Sequence, residues 1–248
     1  MSYYLQILSI IGVDMKKAFT LAEVLITLGI IGVVAALTLP TLISNYQEKV
    51  LVNQLKVAYS TFAQAYEQAL EEHGPSEHWD IGSRDSAVGA NKLYQIMKPY
   101  FLNAEDCGLT KNKCFYTGTY KALFNDKWAW QPATHLVYAK GRLKNGVSFF
   151  FWSNGSGCPD NICGSIVVDV NGEKSPNQAG VDYFSFDITP TSINPKDGIP
   201  PARPQYGHIC KYNNTSNVNG ASCTAWVLVK ENMDYRRRDI TSEWRGSN

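Results

Sequence analysis

Residues 24–43 read VLITLGIIGVVAALTLPTLI, an apolar run without a charged side chain. A helix needs about 20 such residues to cross the hydrocarbon core of a bilayer, so one membrane span is predicted. Downstream the pattern becomes one-sided. Leu51, Leu55, Ala58, Tyr59, Phe62, Ala65, Tyr66, Ala69 and Leu70 recur at three- and four-residue spacing, with Gln47, Lys49, Asn53, Lys56, Gln64, Glu67 and Glu71 filling positions between them. That is the stripe of an amphipathic helix, and Gly74-Pro75 is a stop signal after it. The spacing therefore predicts a single helix from Phe19 to about His73, apolar all round in its first half and needing a partner for one face in its second.

Three features interrupt the apolar run. Pro40 removes a backbone donor and crowds the preceding turn, so a kink or local melting is expected there. Gly29 and Gly32 lower helix stability further. Glu23 places a carboxylate in the first turns, where membrane depth costs about 2.5–3.5 kcal/mol. Such a group calls for a partner or a function.

After residue 74 helical periodicity fades, and glycine, aromatic and β-branched residues rise. Residues 91–100 are a candidate short helix. Residues 134–140 and 147–152 are rich in β-formers and flank Lys144-Asn145-Gly146, whose Asn-Gly is a hairpin signal. Residues 165–170 read as the next strand, 183–188 as a weaker one and 224–230 as the last. A long helix followed by strands is an α+β order, and about 175 residues beyond the helix suffice for one domain.

Charge gives the expected topology. Lys16 and Lys17 precede the apolar run and nothing comparably basic follows closely, which leaves the N-terminus cytoplasmic and the rest outside. A cleavable secretory signal fits poorly, because the small residue Ala18 stands before the run and not after it. The six cysteines, Cys107, Cys114, Cys158, Cys163, Cys210 and Cys223, all lie in the extracytoplasmic part. Six cysteines allow fifteen connectivities, of which the sequential one closes three short loops and is preferred. The competing reading is zinc held by Cys158 and Cys163 with His135 and His208, but the other cysteine spacings supply no second knuckle.

The segment Lys16-Lys17-Ala18-Phe19-Thr20-Leu21-Ala22-Glu23-Val24-Leu25-Ile26 resembles the leader and cleavage motif of type IV pilins and type II secretion pseudopilins. The resemblance is specific over residues 16–46 and architectural thereafter. It implies cleavage between Ala18 and Phe19 by a prepilin peptidase and N-methylation of Phe19. It also implies assembly through Phe19 and Glu23, whose carboxylate meets the terminal amine of a neighbouring subunit. The family usually has glycine before the cut; Ala18 adds one methyl to that, and cleavage is still expected. Met15 directly precedes the basic pair and is an alternative start for the chain. The implied organisation is a leader (1–18), a transmembrane and assembly helix (19–45), an amphipathic second half (46–73) and an extracytoplasmic head (74–248), pilin-like in fold with disulfide-pinned loops.

On this reading the chain is a structural subunit, major or minor, of a type IV pilus or a type II secretion system. Its expected partners are identical or related pilin subunits, the peptidase and the inner-membrane assembly platform. It would sit in the bacterial inner membrane and pass into a surface fibre or a periplasmic pseudopilus. The other reading is a membrane-anchored extracytoplasmic binding or adhesion protein that never polymerises.

Two segments bear on ligands. Asp169, Asn171, Asn177 and Asp182 gather oxygen ligands in one loop, and some secretion pseudopilins carry calcium in a comparable region. The competing account makes these residues ordinary turn formers that bond backbone amides, and that account is preferred. Arg236-Arg237-Arg238 offers a small basic patch for DNA, although such runs are usually solvated. Trp128, Trp130, Trp152, Trp226 and Trp244 would make the head an adhesin or sugar binder if several were grouped on the surface, and core packing explains most of them equally well. No catalytic constellation stands out. Asn154-Gly155-Ser156-Gly157 lacks the spacing of a nucleophile elbow, and no phosphate-binding glycine loop occurs, so an enzyme is not expected.

Overall fold

The computed structural model describes residues 20–196 and 210–244, the side chain of Trp244 excepted. Two units, 1–45 and 46–248, are described separately. In the first, α1 (Leu21–His73) begins. Its apolar side chains from Leu21 to Ile43 are exposed, as membrane-facing groups would be in the absence of lipid. The backbone stays helical through Pro40, so the expected melting does not occur. Nearby, Thr38 Oγ1 donates to Val34 O at 2.9 Å and Thr27 Oγ1 to Val24 O at 3.0 Å, so hydroxyls back up the carbonyl ladder of the apolar segment.

The second unit is built on the one-sided half of α1. Val52, Leu55, Ala58, Phe62, Ala65, Tyr66 and Ala69 are buried, and Leu51, Tyr59 and Leu70 pack partly buried against the same core. They meet the inner face of a six-stranded antiparallel sheet whose spatial order is its chain order: β1 (Glu105–Gly108), β2 (Ala139–Arg142), β3 (Ser148–Ser153), β4 (Gly164–Asp169), β5 (Tyr183–Ile188) and β6 (Ile193–Pro195). Inner-face residues alternate along the strands, as a half-covered antiparallel sheet requires: Phe149 and Phe151, Ile166 and Val168, Phe184 and Phe186. Phe62 stands edge-on to both Phe149 at 5.2 Å and Phe101 at 5.3 Å, each contact adding about 1 kcal/mol to the area it buries. Between α1 and β1 lies α2 (Ala87–Met97), capped by Ser86 and ending in a single turn of 3-10 helix. A Cβ on Gly89 would sit 2.0 Å from Ile81 O, so only glycine permits this close approach.

The β2–β3 connection turns at the expected place. Gly146 N donates to Leu143 O at 2.9 Å, Gly146 adopts φ +90°, and the Asn145 carboxamide accepts from Val147 N at 3.2 Å. Two expectations need correction. Residues 134–138 are turns, and the strand begins only at Ala139, because His135 and Tyr138 fold onto the outer face of the sheet. Their rings stack at 4.4 Å, and Tyr138 stacks on Phe150 at 4.0 Å. Residues 224–230 form a helix, α3 (Thr224–Lys230), and not a strand. The β-forming side chains there are overruled by tertiary contacts. Thr224 Oγ1 accepts from Ser185 N at 3.1 Å beside the short edge strand β6, and Trp226 Nε1 donates to Asn232 Oδ1 at 2.8 Å.

A second buried layer covers part of the outer face. Phe115, Tyr120, Trp128 and Tyr138 from the irregular segment 109–138 pack on Phe150, Val167 and Tyr183. The structure pairs Cys107 with Cys114, Cys158 with Cys163 and Cys210 with Cys223. Each short loop closed this way contributes about 2–3 kcal/mol on the chain-entropy account.

The C-terminal segment returns to α1. Glu48, 8% exposed, accepts from Met233 N at 2.9 Å and pairs with Arg237. Glu48→Ala would leave a buried N–H without an acceptor and is expected to cost about 1–2 kcal/mol, with Glu48→Gln recovering part of it. Urea denaturation of the full chain measures both.

Candidate functional site

The first candidate site is the start of α1. Thr20 Oγ1 accepts from Glu23 N at 3.2 Å, while Glu23 Oε2 accepts from Thr20 N at 2.8 Å and from the Thr20 hydroxyl at 2.9 Å. This is a capping box: two of the N–H groups that the first turn leaves without helical partners are satisfied reciprocally. The signal stood in the sequence as Thr20-Leu21-Ala22-Glu23, a threonine followed three residues later by glutamate ahead of an apolar run, and it was missed. Glu23 is thus not unpartnered in the isolated chain; its carboxylate closes the helix. Ala18 and Phe19 lie outside the described residues.

The second is the β4–β5 connection, where all four oxygen-rich residues come together. Asp182 accepts from Asn177 N at 2.8 Å and Gln178 N at 2.7 Å. Asp169 accepts from the Tyr120 hydroxyl at 2.6 Å and from Asn171 N at 3.3 Å. Burial, then the nearby Asp182 charge, pushes Asp169 well above the carboxylate range, and burial pushes Asp182 up to about 6. These bonds are those of the turn account. Among the described residues, the buried amide oxygens Asn171 Oδ1 and Asn177 Oδ1 nonetheless have no hydrogen-bond partner, and the turn account does not use them.

The remaining candidates separate clearly. Cys158 and Cys163 are bonded to each other, so these sulfurs are not zinc ligands, and His208 lies outside the described residues. Glu105 approaches Cys107 and Cys114, but these two are disulfide-bonded as well. In the arginine run, Arg237 pairs with Glu48 and Asp234, and Arg238 with Asp234 and Glu243, so two of the three guanidinium groups are already engaged by acids. Trp226 is core. Trp128, Trp130 and Trp152 instead converge on one cleft over the outer face of the sheet.

One comparison decides what the N-terminal segment is. The prokaryotic N-terminal methylation motif matches residues 14–39, spanning the basic pair, Ala18, Phe19 and the apolar start of α1. The chain carries a prepilin leader. It is the leader of type IV pilins and pseudopilins, and the long helix, antiparallel sheet and disulfides behind it make the fold α+β and pilin-like. The leader marks a processed, prepilin-like substrate, and the apolar first half of α1 fits anchoring in a membrane. No curated protein and no solved structure matches the chain.

Proposed function

We propose that the protein is a non-enzymatic structural subunit, a pilin or pseudopilin, of a type IV pilus or a type II secretion system. The observation that carries this reading is the continuity of the methylation motif with α1: the leader runs directly into a helix apolar on every side. Prepilin peptidase cuts between Ala18 and Phe19 and Phe19 is N-methylated. The helix holds the head outside the inner membrane, with the N-terminus cytoplasmic. The assembly platform then adds the subunit to identical or related ones through Phe19 and Glu23. The test is the intact mass of the chain recovered from bacterial membranes with and without a prepilin peptidase, unreduced. The expected product begins at Phe19, carries one added methyl and lacks two hydrogens for each disulfide. An unprocessed N-terminus in the presence of peptidase overturns the reading.

The head also fits a hard cation. Calcium takes six to eight oxygen ligands, and Asp169, Asp182, Asn171 Oδ1 and Asn177 Oδ1 offer two carboxylates and two amide oxygens without partners. A bound cation would offset the repulsion between the two carboxylates and so stabilise the loop. Millimolar calcium is expected to raise the melting temperature of the full chain by several degrees, and chelator to reverse it. Asp182→Asn should abolish the shift. No shift in the wild-type chain would leave the turn account alone.

A further inference from the structure

Among the described residues the outer face of the sheet is only partly covered. Two cross-strand rows cross it, Trp152–Ser165–Asp187 and Phe150–Val167–Ser185. In the first row Ser165 stands between the larger Trp152 and Asp187, and in the second Val167 and Ser185 lie beside the larger Phe150. Ser165, Val167 and Ser185 therefore form the floor of a cleft of about 900 Å³, a volume at the upper end of those typical of small-ligand sites.

The walls are aromatic and held in place. Trp152 Nε1 donates to Asp85 Oδ1 at 2.6 Å, and the Arg84 guanidinium lies 5.6 Å from its ring centroid, so the indole is oriented before any ligand arrives. Trp130, 44% exposed, also lines the cleft and stands edge-on to the buried Trp128 at 5.4 Å. At the far end of the Trp152 row, Asp187 accepts from Ser165 Oγ at 3.2 Å and pairs with Lys196 at 3.4 Å. Flat apolar faces and polar side chains of both hydrogen-bonding senses thus border one space.

We infer that this cleft binds a neutral oligosaccharide. A sugar ring presents C–H faces, which lie against indoles, and a rim of hydroxyls, each able to donate to a carboxylate and accept from a cation. That pairing of surfaces is what the cleft provides. Charge argues against a phosphate polymer, because among the described lining residues Arg84 and Lys196 face Asp85, Asp160 and Asp187, which leaves no basic surplus for phosphates. Backbone pairing argues against an extended peptide. Strand addition needs a free sheet edge, and the floor consists of β3, β4 and β5, whose backbones are paired to one another.

The experiment uses the full chain in a detergent without a sugar headgroup, screened on an array of neutral glycans and then titrated with maltotriose, cellotriose and chitotriose by tryptophan fluorescence. At least one neutral glycan is expected to bind, with its dissociation constant raised tenfold or more in Trp130→Ala at unchanged melting temperature. Val229→Ala, on exposed α3 surface outside the cleft lining, should bind as the wild type does. The inference is overturned by absence of neutral-glycan binding or by full affinity in Trp130→Ala.

Discussion

Replacing Glu23 with alanine is expected to abolish fibre or pseudopilus formation while the processed chain still reaches the membrane. At membrane depth the carboxylate is costly, about 2.5–3.5 kcal/mol, and its removal favours insertion. Insertion alone therefore does not explain its presence. In the isolated chain the cost is offset by the capping box with Thr20. In an assembled fibre the proposed partner is the terminal amine of Phe19 on the next subunit, created only by cleavage after Ala18. The two roles compete for one carboxylate, and variants distinguish them. Glu23→Gln keeps an acceptor for the cap and loses the charge. Thr20→Ala keeps the charge and removes half of the cap, a loss of about 1 kcal/mol in helix stability. If charge pairing drives assembly, sheared-fibre yield should fall to background in Glu23→Ala and Glu23→Gln alike, and only modestly in Thr20→Ala. Normal assembly of Glu23→Ala would remove Glu23 from the assembly contact, and absence of fibres from the processed wild-type chain itself would leave the tethered, non-polymerising protein as the better description.

What was legible in the sequence was whatever depends on local pattern. The nine stripe positions from Leu51 to Leu70 all pack on the core, since a helical face is defined by spacing alone. The run 183–188 coincides with β5, and the Asn145-Gly146 turn sits where its dihedral requirement puts it. What was not legible depends on distant partners. β1 reads Glu-Asp-Cys-Gly without alternation, β6 is three residues ending in Pro195 and too short to show a pattern, and both are edge strands whose pairing comes from the neighbour. α3 looks like a strand because Trp226, Val227 and Val229 favour one, and only its packing beside β5 makes it helical. The cleft was least visible of all. Trp152 comes from β3 and Trp128 and Trp130 from the segment 109–138, and the floor of Ser165, Val167 and Ser185 is apparent only once β3, β4 and β5 are set in register.

The same layering buries a lysine. Lys140 on β2 is 0% exposed, and its ammonium donates to Thr110 O at 3.3 Å and His135 O at 3.0 Å, with no carboxylate paired to it among the described residues. Burial lowers its pKa to about 8 from 10.5. His135, beside it, is held below its ordinary value by burial first, with Asp85 opposing and Lys140 adding. Between pH 8 and 10.5 the unfolded chain thus binds more protons than the folded one, and stability rises with pH. At pH 7 the charged, buried amine costs about 3 kcal/mol. Buried tyrosines act in the opposite sense above pH 10: burial pushes Tyr66 up to about 12, and unfolding then releases its proton. The clean window is therefore pH 8 to 9.5. There the stability of the wild-type chain relative to Lys140→Met is expected to climb by about 2 kcal/mol. At pH 7 the variant should be the more stable of the two by about 1 kcal/mol, because two carbonyls lose a donor and offset part of the gain. Urea midpoints across this range measure both. Parallel curves for the two proteins would mean that Lys140 keeps its charge through an interaction that geometry does not reveal.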